Sequence, residues 1–137
     1  MVKLIHTADW QLGKPFGKMP DDLRTVLREA RLDAIDAIAA VARSQGAEHV
    51  LVAGDVFDNP EPGARRLRQA LSRMRDAGCT WWLLPGNHDY ARSEGLWSRL
   101  QSDAPSNVKA LTEPIAVQMD EQCWLLPAPL AYRRTMG

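Results

Sequence analysis

Apolar residues along this chain fall into two rhythms. Short continuous runs at Val2–Thr7, His49–Ala53 and Thr80–Leu84 are each bounded by turn residues and read as strands buried on both faces. Between them the apolar positions recur every three to four residues. Leu23, Val26, Leu27, Ala30, Ala34, Ile38 and Val41 form one helical stripe, opened by the acids Asp21 and Asp22 and stopped at Gly46. Leu67, Ala70, Leu71 and Met74 form a second, begun by Asn59-Pro60-Glu61-Pro62 and closed at Gly78. A shorter helix is expected from about Ser93 to Leu100. The pattern then changes to three short strands, Asn107–Leu111, Ile115–Met119 and Cys123–Leu126, before a Pro-rich tail that ends at Gly137 without a further element. Strand, helix, strand, helix, strand predicts a doubly wound α/β sheet, because parallel strands need such crossovers.

Each of the first three strands ends in a polar turn: Asp9-Trp10-Gln11, Gly54-Asp55-Val56-Phe57-Asp58 and Gly86-Asn87-His88-Asp89. Open α/β sheets bind ligands outside the carboxyl ends of their strands, so the three turns share one crevice. Asp9, Asp55 and Asn87 offer oxygen ligands for a hard divalent cation, and His88 offers an imidazole. A carboxylate between two cations holds them roughly 3.5–4 Å apart, a pair able to clamp a phosphoryl oxygen and generate hydroxide near neutral pH. His88 is placed to give a hydrogen bond or proton to a phosphate oxygen. Gly54 and Gly86 suit close backbone approaches. Taken singly, each turn reads equally well as an Asx turn or helix cap. Together, Gly-Asp-x-x-Asp and Gly-Asn-His-Asp exceed what capping requires.

Composition narrows the class. A chain of 137 residues with 45% apolar and 25% charged residues is one soluble globular domain, residues 1–137, without repeats or linkers. Lys+Arg and Asp+Glu balance at 17 each, which removes a domain-wide basic footprint for nucleic acid. Arg65, Arg66, Arg68, Arg73 and Arg75 therefore read as a solvated helix face, and Arg133-Arg134 as a local patch. Cys79 and Cys123 are too few for a disulfide framework and read as buried free thiols. The five tryptophans read as core or rim packing, His6 as packed within a strand, and His49 as a surface residue at a strand start. No run spans a membrane and the start lacks a signal-peptide core, which points to the cytoplasm.

The three motifs, in this order, resemble those of the calcineurin-like metallophosphoesterase superfamily. Ile5-His6-Thr7-Ala8-Asp9-Trp10-Gln11-Leu12-Gly13, Leu83 to Asp89, and the Leu-Pro-Ala-Pro-Leu stretch ending at Leu130 are more narrowly similar to the SbcD-type DNA repair exonuclease branch. The resemblance implies a mostly parallel sheet flanked by helices, followed by short strands of an incomplete second sheet. It further implies that Asp9 binds a first metal, Asp55 bridges both metals, Asn87 binds the second and His88 assists at the scissile phosphate. Asp58 and Asp89 match turn and support positions. Implied cofactors are Mn2+ first, with Mg2+, Fe2+ or Zn2+ behind it. Implied partners are DNA or another phosphodiester and an ATPase subunit.

Two departures qualify that expectation. Gln11 stands where the family carries histidine; a neutral amide oxygen suits Mn2+ or Mg2+ better than zinc or iron, and weakens the first metal site. The family completes its centre with three further histidines, including Gly-His-x-His, whereas this chain has only His6, His49 and His88. The domain is therefore expected to be truncated on its C-terminal side, with half of a dinuclear site and little turnover. The rival expectation is a non-catalytic interaction module that self-associates through an open sheet edge.

Overall fold

The computed structural model describes residues 2–12, 14, 16–58, 63–86, 89, 91 and 95–129. Strands β1 (Leu4–Thr7), β2 (His49–Ala53), β3 (Thr80–Leu84) and β4 (Val108–Ala110) form a parallel sheet in the order β1-β2-β3-β4. Helices α1 (Asp21–Gln45), α2 (Ala64–Arg75) and α3 (Leu96–Asp103) are the crossovers. Strands β5 (Val117–Asp120) and β6 (Cys123–Leu125) make a small antiparallel sheet.

The strand order never reverses, and this replaces the expected double winding. Right-handed crossovers taken in one direction bring every helix to the same face of the sheet. That face buries Val50, Val52, Trp81 and Leu83 against residues such as Ile35, Leu67, Met74 and Leu100. On the other face Trp82, with Leu51 and Leu84, meets Met119, Val117 and Leu125 of the antiparallel pair. Register explains the split: Val50 lies opposite Trp81, Leu51 opposite Trp82 and Val52 opposite Leu83, so alternate rows point to alternate layers. Continuous apolar strands are thus satisfied by helices on one side and by β5 and β6 on the other.

Helix α1 turns a different face to the core than its periodicity suggests. The buried residues are Ile35, Ala39 and Ala42, with Leu32 and Ile38 packed beside them. Leu23, Val26 and Val41 of the expected stripe are 42%, 62% and 49% exposed. The buried row is offset by one residue, roughly 100° around the helix. Glu29, Asp33 and Asp36, on α1, all engage Arg73 of α2, and this polar bridge fixes how the two helices face each other. Gly46 ends α1 at φ 67, its N–H returning to the Ala42 and Arg43 carbonyls.

The last carbonyls of α2 find side-chain donors. Trp81 Nε1 and Asn107 Nδ2 donate to the Met74 oxygen at 3.1 and 2.9 Å, and Asn107 also reaches the Cys79 oxygen at 2.9 Å. The histidine expectations exchange places. His6 is exposed, whereas His49 is buried and its Nδ1 accepts a hydrogen bond from Trp82 Nε1 at 3.2 Å. The expected starts of α2 at 59–62 and of α3 at Ser93 lie outside the described residues, as does the tail from Leu130. Among the described residues no helix is long and apolar enough to cross a membrane.

Both cysteines are free, but only Cys79 is buried; Cys123 is half-buried. Burial pushes the Cys79 thiol above its ordinary value. With a thiol reagent under native conditions, Cys123 should label first and Cys79 only on unfolding. Equal labelling rates would contradict this packing.

Candidate metal centre

Parallel strands present their carboxyl ends at one edge, so the pairing of β1 with β2 and β2 with β3 sets the three turns side by side. The backbone then locks them. Asp9 N–H donates to the Gly54 carbonyl at 3.1 Å and Gln11 N–H to the Asp55 carbonyl at 3.0 Å. Beyond them Leu12 bridges Phe57, with Leu12 N–H on the Val56 oxygen at 2.9 Å and Asp58 N–H on the Leu12 oxygen at 2.9 Å. The first two turns therefore behave as one extension of the sheet past its last strand residues.

The second and third turns are joined by a buried acid. Asp89 is fully buried; its Oδ2 accepts the Phe57 N–H at 3.0 Å and its Oδ1 the Gly86 N–H at 2.7 Å. The Asp89 carbonyl accepts a hydrogen bond from Trp97 Nε1 of α3 at 2.7 Å. Burial holds the Asp89 carboxyl above the usual carboxylate range, the backbone N–H groups of Phe57 and Gly86 pulling the other way and the Asp55 charge adding to the rise.

Asp9, Gln11 and Asp55 all adopt left-handed backbone, with φ of 57, 49 and 51. Asp tolerates this region better than Gln, and each such residue costs on the order of 1–3 kcal/mol. Strain of this kind, clustered at three neighbouring polar positions, is typical of a site rather than of ordinary turns. Gly54, at φ 95, supplies the sharp reversal that leads into Asp55. Opposite it, a Cβ on Gly86 would lie 2.5 Å from both the backbone nitrogen and Oδ1 of Asp55. The third turn is therefore pressed directly onto the Asp55 carboxylate.

Asp9 is exposed, and Gln11 and Asp55 are half-buried. Trp10 between them is held inward: its Nε1 donates to Thr7 Oγ1 at 3.0 Å, its ring meets Trp81 edge-on, and Arg31 of α1 donates to its carbonyl at 2.8 Å. Sequence reasoning missed Arg31, which has no local signal, and assigned Asp89 only a support position. Asn87 and His88, the other candidates, lie outside the described residues.

Two carboxylates and one amide are hard oxygen donors and fit a divalent cation of the Mn2+ or Mg2+ type. Among the described residues no group of three or more His, Cys, Asp or Glu side chains gathers to hold an ion.

The profile of the calcineurin-like phosphoesterase family matches residues 2–128, and the chain belongs to that family. The family uses divalent metal ions. Within it, the chain is 34% identical over 92 residues to the SbcD component of the nuclease SbcCD of Escherichia coli, covering 64% of this chain and 21% of that protein. It is 32% identical over 95 residues to the DNA double-strand break repair protein Mre11 of Halobacterium salinarum, covering 67% and 23%. The metallophosphoesterase YhaO of Bacillus subtilis is 25% identical over 120 residues, covering 83% and 28%. The chain spans between 21% and 28% of the length of these relatives.

Two substitutions probe this scaffold. Asp89→Ala strips the buried N–H groups of Phe57 and Gly86 of their acceptor and should lower stability by about 3 kcal/mol, read from urea unfolding. Gly86→Ala drives a methyl group into Asp55 and should cost about 1–3 kcal/mol while weakening metal binding more than tenfold. A Gly86→Ala chain of unchanged stability and metal affinity would show that the turns are not in contact.

Proposed function

We propose that this chain is a metal-dependent phosphodiesterase domain of DNA exonuclease type, residues 1–137 acting as one unit. Asp9 and Gln11 would hold a first divalent ion, Asn87 a second, with Asp55 serving both, and Mn2+ the preferred ion. The observation that carries the reading is the locking of the Asp9 and Asp55 turns to each other through backbone hydrogen bonds, with Gly86 pressed against the Asp55 carboxylate.

Bound divalent ions supply Lewis-acid polarisation of the phosphoryl oxygens and acidification of water. The residues of the chain do the rest. The locked turns hold the backbone of Asp9 and Asp55 in place before any ligand arrives, which lowers the reorganisation needed on binding. Trp10, pinned by Thr7 and Arg31, keeps the Asp9 backbone from relaxing. His88 donates a hydrogen bond or proton to a phosphate oxygen.

Relatives that are a nuclease component and a DNA repair protein support DNA as the substrate. The same likeness supports assembly with a second protein, an ATPase by resemblance. Turnover by the 137-residue chain is expected to be low. Of its other histidines, His49 begins β2 at the opposite edge of the sheet with its ring held by Trp82, and His6 lies within β1.

A second reading is favoured by one observation. Leu23 and Val26 of α1 are exposed at 42% and 62%, and β1 has no described strand on its outer side. Association through that edge would cover the strand.

Metal titration and hydrolysis of bis-p-nitrophenyl phosphate separate the two. Expected are weak Mn2+ binding, lost in Asp55→Ala, and slow hydrolysis. Mn2+ affinity unaffected by Asp55→Ala would sink the metal assignment, and robust hydrolysis abolished by Asp55→Ala would sink the low-turnover part. Light scattering showing only monomer would remove the second reading.

A further inference from the structure

Helix α2 carries Arg65, Arg66, Arg68, Arg73 and Arg75 with no Asp or Glu between Ala64 and Arg75. Its C-terminal arginines are neutralised: Arg73 by Glu29, Asp33 and Asp36 of α1, and Arg75 by Asp76. The other end differs. Arg65 and Arg66 occupy the first helical turn, which has no acid and no side-chain cap. That is the reverse of the usual charge preference, since the helix N-terminus is already electropositive.

These two arginines and Arg28 of α1 line a cavity of about 280 Å³ between the helices, with Thr25 and Gln69 as neutral hydrogen-bonding groups. Its floor includes Leu12, the residue after Gln11, whose backbone is tied to the Asp55 turn through Val56. Glu29 is the acid on the wall, and its Oε1 is taken by Arg73 Nη2 at 2.8 Å. Arg28 and Arg66 also hold partners within the chain, whereas Arg65 is exposed at the rim.

We infer that this cavity binds a backbone phosphate of a nucleic acid strand, at a position beyond the scissile one. Three guanidinium groups from two helices suit a phosphate, which arginine recognises by forked hydrogen bonding. The place fits as well: Leu12, which lines the cavity, follows Gln11 of the first turn directly in the chain, and its backbone is bonded to the second turn. Recognition here distinguishes a polyanionic chain from a small phosphoester, which occupies the metal turns alone. The inference rests on the phosphodiesterase reading, because that reading makes the anion a nucleic acid phosphate.

The test is fluorescence anisotropy of a labelled oligothymidylate in EDTA over a series of salt concentrations, so that no metal contributes. Arg65→Glu and Gln69→Glu should each weaken binding about tenfold, and Arg65→Glu should reduce the salt slope by about one. Arg75→Glu, at the far end of the same helix, should leave affinity within about twofold. Unchanged affinity in both cavity variants, with native circular dichroism, overturns the site. Equal loss from Arg75→Glu reduces it to bulk charge and overturns it too. Mn2+ titration of Arg65→Glu and Asp55→Ala keeps the two readings apart: Arg65→Glu retains metal affinity. If Asp55→Ala also retains it while Arg65→Glu loses oligonucleotide, the metal assignment fails and the phosphate site stands.

Discussion

A buried carboxylate is an expensive group, and the carboxyl-end edge of this sheet is organised around one. Asp89 is compensated by backbone N–H groups from two different turns, Phe57 on one side and Gly86 on the other. Each of those N–H groups would itself be an unmet donor without the acid, so the three groups satisfy one another or none are satisfied. Because Phe57 follows Asp55 by two residues and Gly86 packs on its carboxylate, the same bonds set where Asp55 points. Trp97 adds a tether to α3, so the position of the third turn is fixed from the helical layer as well.

That clamp explains how strained backbone persists at Asp9, Gln11 and Asp55. A left-handed residue relaxes unless neighbouring contacts over-determine it. Here the Asp9 and Gln11 N–H groups are committed to carbonyls of the second turn, and the second turn is committed to Asp89. Asp55 and Asp89 also repel each other electrostatically. A divalent cation at Asp55 would offset that repulsion.

Sequence pattern delivers β2 and β3 with their boundaries because continuous apolar runs ended by turn residues leave little latitude. It places Leu67, Ala70, Leu71 and Met74 in the core because α2 has only one apolar row. Helix α1 defeats the same reasoning for the opposite reason: it has two apolar rows one residue apart, and periodicity cannot choose between them. Strand order is equally illegible, since alternation of strands and helices is common to singly and doubly wound sheets. The exchange of His6 and His49 turns on Trp82, a partner 33 residues from His49, which no local pattern encodes. At the site, the acids are legible as types at strand ends. Their left-handed backbone has a weak signal at the Asp positions and none at Gln11.

The described turns support one another. Among the described residues, the groups that hold the Asp9 and Asp55 turns run from the Gly54 and Asp55 carbonyls to Asp89 and Arg31. Additional ligands from elsewhere would therefore add donors to a cation without being needed to shape the turns. Affinity for metal scales with the number and charge of donors, whereas the placement of the donors already present follows from the sheet edge and the Asp89 clamp. Gln11 acts on the first quantity and not the second. Its backbone N–H bonds the Asp55 carbonyl as any residue there would, while its amide oxygen would offer a bound cation only a neutral donor. On the proposed reading, the geometry of this edge and the strength of any metal binding would be set by different residues, so a chain could retain the one with the other reduced.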